Sequence, residues 1–439
     1  MAALQGKVRN APRRFSFDSD YEIHPAHYVF KYPAKFHVPI AAQLIRDFTS
    51  AGDVVLDPFC GSGTTLLESS LHGRTSIGVD IDPLAVFISN AKTMRWKASA
   101  LQNAWTRLHA EFDSLRRPDS EYVRMQHRDI SNRTLASTLD AEGLWTPDIP
   151  NIQHWFRRYV LLDLARIISR ISHRTGVERT FFQLCFASMI RAASNADPVP
   201  VSGLEVTAHM LKLDSQGRVI DPFALFSKAV ERCLAAVTSE PRGKSQSKVL
   251  HADSTDLSAV KVGRVDAVIT SPPYQGAVDY YRRHKLETMW LGLATTLEER
   301  KKLIPKYIGR LSVSQKHPFV AESTTPNSLI ARKLEDLIRT SDNSRANAFR
   351  HYVMAMQSCL DSLSQVLSPG RPAVIVVGKS KWKGEELPTN KIMTELAGQH
   401  FKLVEQCWYP IKNRYMSFQR HNGPGIDREQ VLILERKAA

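Results

Sequence analysis

The stretch Val-Val-Leu-Asp-Pro-Phe-Cys-Gly-Ser-Gly-Thr-Thr, residues 54–65, decides the fold of this chain. Apolar residues run into Asp57, a Gly-Ser-Gly turn follows, and an apolar pattern of helical period comes next, which predicts a strand, a tight turn and a helix start. Gly61 and Gly63 lack a Cβ atom, so the backbone turns sharply there and a ligand can approach the first amide groups of the helix. A second predicted strand ends in Asp80, about 20 residues past the turn, where a carboxylate can bind the hydroxyl pair of a ribose.

A second motif lies far downstream, where the predicted strand 265–270 ends in Ser271-Pro272-Pro273-Tyr274. Proline pushes the residue before it out of the helical region, so the chain leaves this strand in an extended and stiff conformation. The backbone carbonyls beside Ser271 then have no strand partners and form, with that residue, a fixed set of acceptors for an amino group. Tyr274 offers a flat face for stacking on a base.

Together the two motifs resemble those of bacterial S-adenosylmethionine-dependent DNA amino-methyltransferases of the cytosine-N4 and adenine-N6 type. The resemblance covers about 24–92 and 248–293, with the cofactor motif first and the Ser-Pro-Pro-Tyr motif second. The dehydrogenase pattern Gly-x-Gly-x-x-Gly lacks its third glycine here, because Leu66 occupies that position. The resemblance implies an α/β fold, a Rossmann-like class I methyltransferase sheet with helices on both faces, to which a mostly helical insert is added.

The resemblance also implies S-adenosylmethionine as the cofactor and assigns roles to single residues. Asp80 is expected at the ribose, with Asp82 as the alternative, Ile81 beside the adenine ring and Asp253 at the adenine amine. The residues expected to bind the cofactor are Tyr32, Lys35, Asp57, Phe59, Gly61, Gly63, Thr64, Thr65, Asp80, Ile81 and Asp253. The residues expected to carry catalysis are Ser271, Pro272, Pro273 and Tyr274, and no metal is expected.

The composition narrows the class of protein and its partners. The chain has 439 residues, 43% of them hydrophobic, which is enough for one large or two ordinary domains. A formal net charge of +15 favours a polyanionic partner, and nucleic acid is the first candidate. The five cysteines are isolated in sequence, which is typical of a reducing compartment without a zinc site. No apolar run long enough for a membrane span and no signal peptide is evident, so a cytoplasmic location is expected.

The chain divides into segments by character. Residues 1–20 are predicted to be a basic flexible tail, and 21–94 with 248–439 to form the catalytic domain. Residues 95–247 are predicted to be a mostly helical insert and the candidate target-recognition region. Arginine-rich helix faces that merely contact solvent would explain the same pattern in this insert. Its interleaved aromatic and basic residues are Trp145, Trp155, Phe156, Arg157, Arg158, Arg166, Arg170 and Arg174. The polar pair Ser194-Asn195 either faces the target base or caps a helix, and the basic, aromatic stretch 412–421 is a second candidate for DNA contact.

The resemblance implies a reaction on a base that has left the duplex. Ser271 and a carbonyl near Pro272 are expected to accept hydrogen bonds from the target amine, while Tyr274 stacks on the base. In relatives, Ser-Pro-Pro-Tyr is associated with cytosine N4, so a site-specific cytosine-N4 methyltransferase of restriction-modification or host defence is the favoured interpretation. Adenine N6, an RNA guanine-N2 methyltransferase and a non-catalytic DNA-binding subunit are the alternatives. Double-stranded DNA is the expected partner, with a cognate restriction endonuclease or defence partner as a further one, and the oligomeric state is open.

Overall fold

The strands form a mixed sheet at the centre of the molecule. The structure is a computed structural model that describes residues 12–198, 203–238, 246–276, 279–321, 324–378, 380–383, 385–411 and 427–438. The strands are β1 (Arg13–Arg14), β2 (Val54–Asp57), β3 (Thr75–Asp80), β4 (Ser247–His251), β5 (Ala267–Thr270), β6 (Pro372–Gly378), β7 (Ser380–Trp382), β8 (Glu385–Leu387), β9 (Phe401–Pro410) and β10 (Arg428–Arg436). Eight of these strands in the described ranges form one sheet in the order β1-β9-β10-β6-β5-β2-β3-β4, and β7 pairs with β8 separately.

The strand directions create a reversal of the winding in the middle of the sheet. Strands β6, β5, β2, β3 and β4 are parallel neighbours, whereas β10 is antiparallel to both β6 and β9. The chain winds from β2 outward through β3 to β4, and then continues on the other side of β2 with β5. The reversal therefore lies between β2 and β5, which is where ligands bind in open α/β sheets, beyond the carboxyl ends of the strands.

Helices cover both faces of the sheet. On one face α1 (Val38–Phe48) packs on Val55, Ile269 and Val374. On the other face α17 (Asn343–Val366) and α18 (Thr389–Ala397) pack on strand residues of the opposite parity, such as Val268 and Ile375. The predicted Rossmann-like fold with helices on both faces is confirmed. The helices are α1 (Val38–Phe48), α2 (Thr64–Leu71), α3 (Pro83–Thr93), α4 (Ala98–Asp113), α5 (Asp119–Met125), α6 (Asn132–Ala141), α7 (Ile152–Trp155), α8 (Arg158–Ser172), α9 (Gly176–Ala193), α10 (Ala208–Ser215), α11 (Pro222–Thr238), α12 (Tyr280–Arg283), α13 (Lys285–Trp290), α14 (Leu297–Leu303), α15 (Pro318–Ala321), α16 (Leu329–Arg339), α17 (Asn343–Val366) and α18 (Thr389–Ala397).

Helices α4 to α11 fill the sequence between the adjacent strands β3 and β4, so this region is helical as predicted. Their buried side chains share one hydrophobic core with α2, α3 and α13 through Leu67, Ile88 and Trp290. The ring of Phe186 in α9, for example, meets that of Trp290 with a centroid separation of 5.9 Å. Within the described ranges, every helix is too short or too polar to cross a membrane.

The prediction of a flexible tail is wrong for Arg13 to Phe15. Arg13 and Arg14 pair in parallel with Cys407 and Trp408 at the edge of the sheet. Nη2 of Arg13 donates to Oε2 of Glu405 at 3.1 Å, and Phe15 is only 4% exposed. The unpaired edge of β9 supplies hydrogen-bond partners, and burial of Phe15 offsets the loss of chain entropy. Residues 1–11 lie outside the described part of the chain.

Candidate active site

A cavity opens at the carboxyl ends of β2 and β5, where the winding of the sheet reverses. It holds about 810 Å³ of space, part of it continuous with solvent. Residues from both sequence motifs line it, among them Asp57 and Ser271, although the two motifs lie far apart in the chain. The predicted residues that line the cavity are Tyr32, Lys35, Asp57, Phe59, Gly61, Thr64, Asp80, Ile81, Asp253, Ser271 and Pro273.

The glycine turn between β2 and α2 forms one wall. Gly61 and Gly63 have φ of +49° and +74°, in the left-handed region that favours glycine. A Cβ atom on Gly63 would lie 2.9 Å from Oγ of Ser89, so this residue shapes the turn and faces α3 instead of the cavity. The hydroxyl of Ser89 donates to the carbonyl of Gly61 at 2.6 Å, and Nζ of Lys92 donates to the carbonyl of Ser62 at 2.6 Å. The turn is thus fixed from behind by α3.

Two carboxylates at the strand ends face the turn. Oδ2 of Asp80 accepts the Gly61 N–H at 2.8 Å, and Oδ1 accepts the Asp82 N–H at 2.9 Å. Burial, reinforced by the charge of Asp82, raises the pKa of Asp80 to about 7. Burial likewise raises the pKa of Asp57 to about 6, against the hydrogen bonds from Thr270 and the Phe59 N–H that lower it. Each oxygen of Asp80 retains a second lone pair for a ligand hydroxyl.

Asp82, the alternative candidate for the ribose, is committed to the protein. Its Oδ1 accepts the Leu84 N–H at 2.9 Å and thereby caps α3. Its Oδ2 lies 2.8 Å from Nδ1 of His284. Asp82 also lines the cavity, but it is only 2% exposed, whereas Asp80 is half-buried, so Asp80 is the more accessible acceptor for a ligand.

The residues at the cavity suit a ligand that has both polar groups and flat rings. The hydroxyls of Ser62 and Thr64 are buried in the cavity wall and have no hydrogen-bond partner among the described residues. Buried hydroxyls without partners are rare, and a bound ligand would satisfy them. The adenosine and the amino-acid moiety of S-adenosylmethionine fit this set, because carboxylates such as those of Asp80 and Asp253 can accept hydrogen bonds from hydroxyls and amines, and Tyr32 offers an aromatic surface.

The segment 32–36 closes one side of the cavity, and Tyr32 and Lys35, which are predicted to bind the cofactor, lie in its lining. Nζ of Lys35 donates to the carbonyl of His27 at 3.1 Å, and burial lowers the pKa of Lys35 to about 8. The ring of Tyr32 stacks on that of Tyr280 with a centroid separation of 5.9 Å. Tyr280 also lines the cavity, so an aromatic pair from distant segments forms this wall.

The Ser-Pro-Pro-Tyr segment forms another part of the cavity wall. Ser271 and Pro273 line the cavity, whereas Pro272 is buried and does not. Tyr274 is not in the lining either, because its ring packs over Gly378 at the end of β6. Its hydroxyl donates to Oε1 of Glu429 at 2.7 Å. Thr65 is fully buried in the first turn of α2 and also lies outside the lining.

Sequence reasoning missed a second segment that reaches the cavity. Lys306, Tyr307 and Ile308 line it, and the N–H of Gly276 donates to the carbonyl of Gly309 at 2.8 Å. This segment has neither periodicity nor a motif, so its sequence gives no signal of its position. The side chain of Ser62 could have been proposed, since it stands within the Gly-Ser-Gly turn itself.

The predicted DNA-contact residues of the insert are largely paired with carboxylates. Ser194 is fully buried, and its hydroxyl donates to the carbonyl of Arg191 at 2.8 Å, so it closes α9. Asn195 donates through Nδ2 to the carbonyl of His154 at 3.0 Å. The stretch 412–421 lies outside the described residues. The arginine pairs are Arg157 with Asp214, Arg158 with Asp129, Arg166 with Glu142, and Arg170 and Arg174 with Glu111.

Comparison with known proteins adds independent evidence. The DNA methylase family of the N6/N4 type matches residues 7–90, which include the glycine turn and Asp80. The Type II methyltransferase M.MvaI of Kocuria varians is 24% identical, and the alignment covers 94% of this chain and 90% of that protein. The Type II methyltransferase M.BsoBI of Geobacillus stearothermophilus is 23% identical, with 84% of this chain and 77% of that protein covered.

Among solved structures, TrmN from Thermus thermophilus aligns with 94% of this chain and 51% of that chain, at 10% identity and a TM-score of 0.32. The relative from Kocuria varians spans both motifs of this chain, because its alignment covers nearly the whole sequence. The family match contains the first motif, and the cavity brings the second motif next to it. The chain is thus similar to the DNA amino-methyltransferases of the N6/N4 type, and S-adenosylmethionine is the cofactor that this similarity implies.

Proposed function

We propose that this chain transfers a methyl group from S-adenosylmethionine to the exocyclic N4 of cytosine in double-stranded DNA, at a specific sequence and on a base turned out of the duplex. The observation that carries the proposal is the position of Ser271 and Pro273 in the same cavity as Asp80 and the glycine turn. The target amine and the cofactor would therefore meet at one point. The formal charge of +15 supports a DNA partner.

The residues on the cofactor side of the cavity bind S-adenosylmethionine and hold it in one orientation. Bound S-adenosylmethionine supplies a methyl group that is already activated for transfer. Asp80 accepts hydrogen bonds from the ribose hydroxyls, and Asp253 accepts one from the adenine amine beside Ile81. The glycine turn permits close approach of the ligand to the start of α2. These roles hold the methyl group in a fixed direction, and alignment of the reacting atoms supplies a large part of the rate.

The residues on the DNA side hold the amine. The lone pair of an exocyclic amine is conjugated with the ring, so the nitrogen is a weak nucleophile. Ser271 and a backbone carbonyl beside Pro272 accept its two N–H bonds, which increases the electron density on the nitrogen and points its lone pair at the methyl group. As the N–C bond forms and the S–C bond breaks, the nitrogen loses a proton to solvent, and neutral S-adenosylhomocysteine leaves.

Cytosine N4 is proposed over adenine N6 because the residue before the two prolines is Ser271, a hydroxyl rather than a carboxylate or an amide. The adenine-N6 reaction uses the same arrangement of acceptor and cofactor and is the second candidate. A cognate restriction endonuclease is proposed as a functional partner, in keeping with the Type II relatives.

Mass spectrometry of nucleosides tests the proposal. DNA is isolated from three cultures of a methylation-deficient host, which express the native chain, the Ser271→Ala variant and the Tyr274→Ala variant. The matched control is Ser137→Ala, which removes an exposed hydroxyl from α6. We expect N4-methylcytosine with the native chain and the control, and its loss or strong reduction in the two site variants. N6-methyladenine instead would overturn the choice of base, and the absence of both marks would overturn the proposed function.

A further inference from the structure

Three neighbouring strands place Tyr409, Glu429 and Gly378 side by side. Glu429 of β10 lies directly opposite Tyr409 of β9 and opposite Gly378 of β6. Residues opposite each other in adjacent strands project to the same face of the sheet. Tyr409 and Glu429 therefore share a face, and the missing side chain at Gly378 leaves a gap beside them.

The ring of Tyr274 occupies this gap. A Cβ atom on Gly378 would lie 2.2 Å from Cε2 and 2.6 Å from Cδ2 of Tyr274, which no side chain tolerates. The hydroxyl of Tyr274 donates to Oε1 of Glu429 at 2.7 Å, and the hydroxyl of Tyr409 donates to the other oxygen, Oε2. Both oxygens of the carboxylate are thus used to hold phenols. Burial and the charge of Glu429 raise the pKa of Tyr274, so that its hydroxyl remains a donor.

The other parts of this arrangement are also fixed. Tyr409 is 2% exposed, and its ring packs edge-on against that of Phe17 at 6.0 Å between centroids. The main chain of Tyr274 is confined as well, because a Cβ atom on Gly309 would lie 2.8 Å from its carbonyl oxygen. Tyr274 nevertheless retains part of its surface exposed. Tyr274 is therefore held at its hydroxyl and at its main chain, while the residue as a whole stays half-buried.

We propose that Glu429, with Tyr409 and Gly378, forms a positioning site that fixes the plane of the Tyr274 ring for stacking on the target base. This inference rests on the proposed function, together with the stacking of Tyr274 on the target base that the resemblance implies. The hydrogen bond from Tyr274 to the Glu429 carboxylate, which Tyr409 also holds, defines the position of the Tyr274 ring. A substitution of Glu429 is therefore expected to alter the angle of that ring without touching the cofactor cavity. Neither Glu429 nor Gly378 lines that cavity.

A double-mutant cycle tests the inference through methylation of DNA from a methylation-deficient host. The variants are Tyr274→Phe, which keeps the ring, Glu429→Gln, and the two combined. We expect each single variant to lower kcat about 10-fold, since a charged hydrogen bond that orients a contacting group is lost. The combined variant is expected to lose no more than either alone, with the KM for S-adenosylmethionine unchanged. Glu435→Gln, on the same strand, is the control and leaves kcat unchanged.

Fluorine NMR provides a readout that does not depend on activity. The chain is labelled with 3-fluorotyrosine, and Tyr274→Phe and Tyr409→Phe assign the two resonances. Glu429→Gln is expected to shift both, and Gly378→Ala to shift that of Tyr274 and to lower kcat about 100-fold as the ring is displaced. If Glu429→Gln leaves both tyrosine resonances unshifted, or if the losses of kcat in the double-mutant cycle are additive, the positioning role of Glu429 is overturned. The proposed function still stands in that case, provided that the native chain methylates DNA. A native chain that leaves DNA unmethylated overturns the proposed function, and the stacking role of Tyr274 with it.

Discussion

The hydroxyl of Thr270 donates a hydrogen bond to Oδ1 of Asp57 at 2.6 Å and joins the last residues of β5 and β2. Both side chains are buried, Asp57 at 3% exposure and Thr270 at 1%. The residue after Thr270 opens the Ser-Pro-Pro-Tyr segment, and the one after Asp57 leads into the glycine turn. One side-chain pair therefore fixes the two walls of the cavity against each other.

Replacement of Thr270 by valine removes this donor at nearly constant volume. Asp57 then retains the Phe59 N–H but loses the hydroxyl that joins the strands. We expect the free energy of unfolding to fall by about 2 kcal/mol, because a buried carboxylate loses a hydrogen bond. Urea unfolding measures the change, and calorimetry should show weaker binding of S-adenosylmethionine. Thr106→Val, on the exposed face of α4, should stay within about 0.5 kcal/mol. An equal loss in both variants would contradict the linkage.

Alanine at Gly63 should be far more harmful than alanine at Gly73. Both glycines are left-handed, with φ of +74° and +78°, so both variants carry the backbone penalty of about 1–2 kcal/mol. Only at Gly63 would the new Cβ meet protein, 2.9 Å from Oγ and 3.2 Å from Cα of Ser89. We expect Gly63→Ala to unfold at lower urea concentration than Gly73→Ala and to lose binding of S-adenosylmethionine in calorimetry. If the two variants bind S-adenosylmethionine with equal affinity, cofactor binding does not depend on the shape of the turn at Gly63.

The carboxyl of Asp80 should make stability depend on pH. Burial raises its pKa from 3.8 to about 7 in the folded chain, so the folded state binds more protons than the unfolded state between these values. Its contribution to the free energy of unfolding is therefore largest below pH 4 and decreases as the pH rises to about 7. We expect the free energy of unfolding, measured with urea, to decrease less for Asp80→Asn than for the native chain as the pH is raised from 5 to 8. The control is the exposed Asp336→Asn, which should follow the native chain. Identical slopes for all three proteins would refute the assignment.

Glu68 should anchor the segment that closes the cavity. Oε1 of this fully buried residue lies 2.6 Å from Nε2 of His27, and Oε2 accepts the hydroxyl of Tyr21 at 2.6 Å. Glu68→Ala removes both acceptors, and we expect a loss of about 3 kcal/mol in urea unfolding. Because Lys35 is held by the carbonyl of His27, affinity for S-adenosylmethionine should fall too. Glu298→Ala, in an exposed ion pair on α14, should cost less than about 0.5 kcal/mol. If Glu68→Ala leaves the affinity for S-adenosylmethionine unchanged, the contacts of Glu68 do not contribute to the shape of the cavity.

The sequence was most informative where a local pattern carries the geometry. The apolar run into Asp57 and its glycine turn predicted a strand, a turn and a helix start, all of which are confirmed. The two prolines predicted an extended exit from β5, where no helix or strand forms at 271–274. What escaped prediction is set by pairing between distant strands. Glu429 meets Tyr274 only because β10 lies beside β6, and nothing in its own neighbours in sequence indicates this contact.

The shared core of the helical region has a consequence for descent. Leu67 of α2 and Ile88 of α3 belong to the same hydrophobic core as the buried side chains of α4 to α11. Wholesale exchange of those helices by recombination would deprive both residues of their neighbours and leave a cavity in each recombinant. We therefore expect this region to be exchanged between homologues only together with the side chains of α2 and α3 that complete its core. Substitutions on the exposed helix faces carry no such constraint.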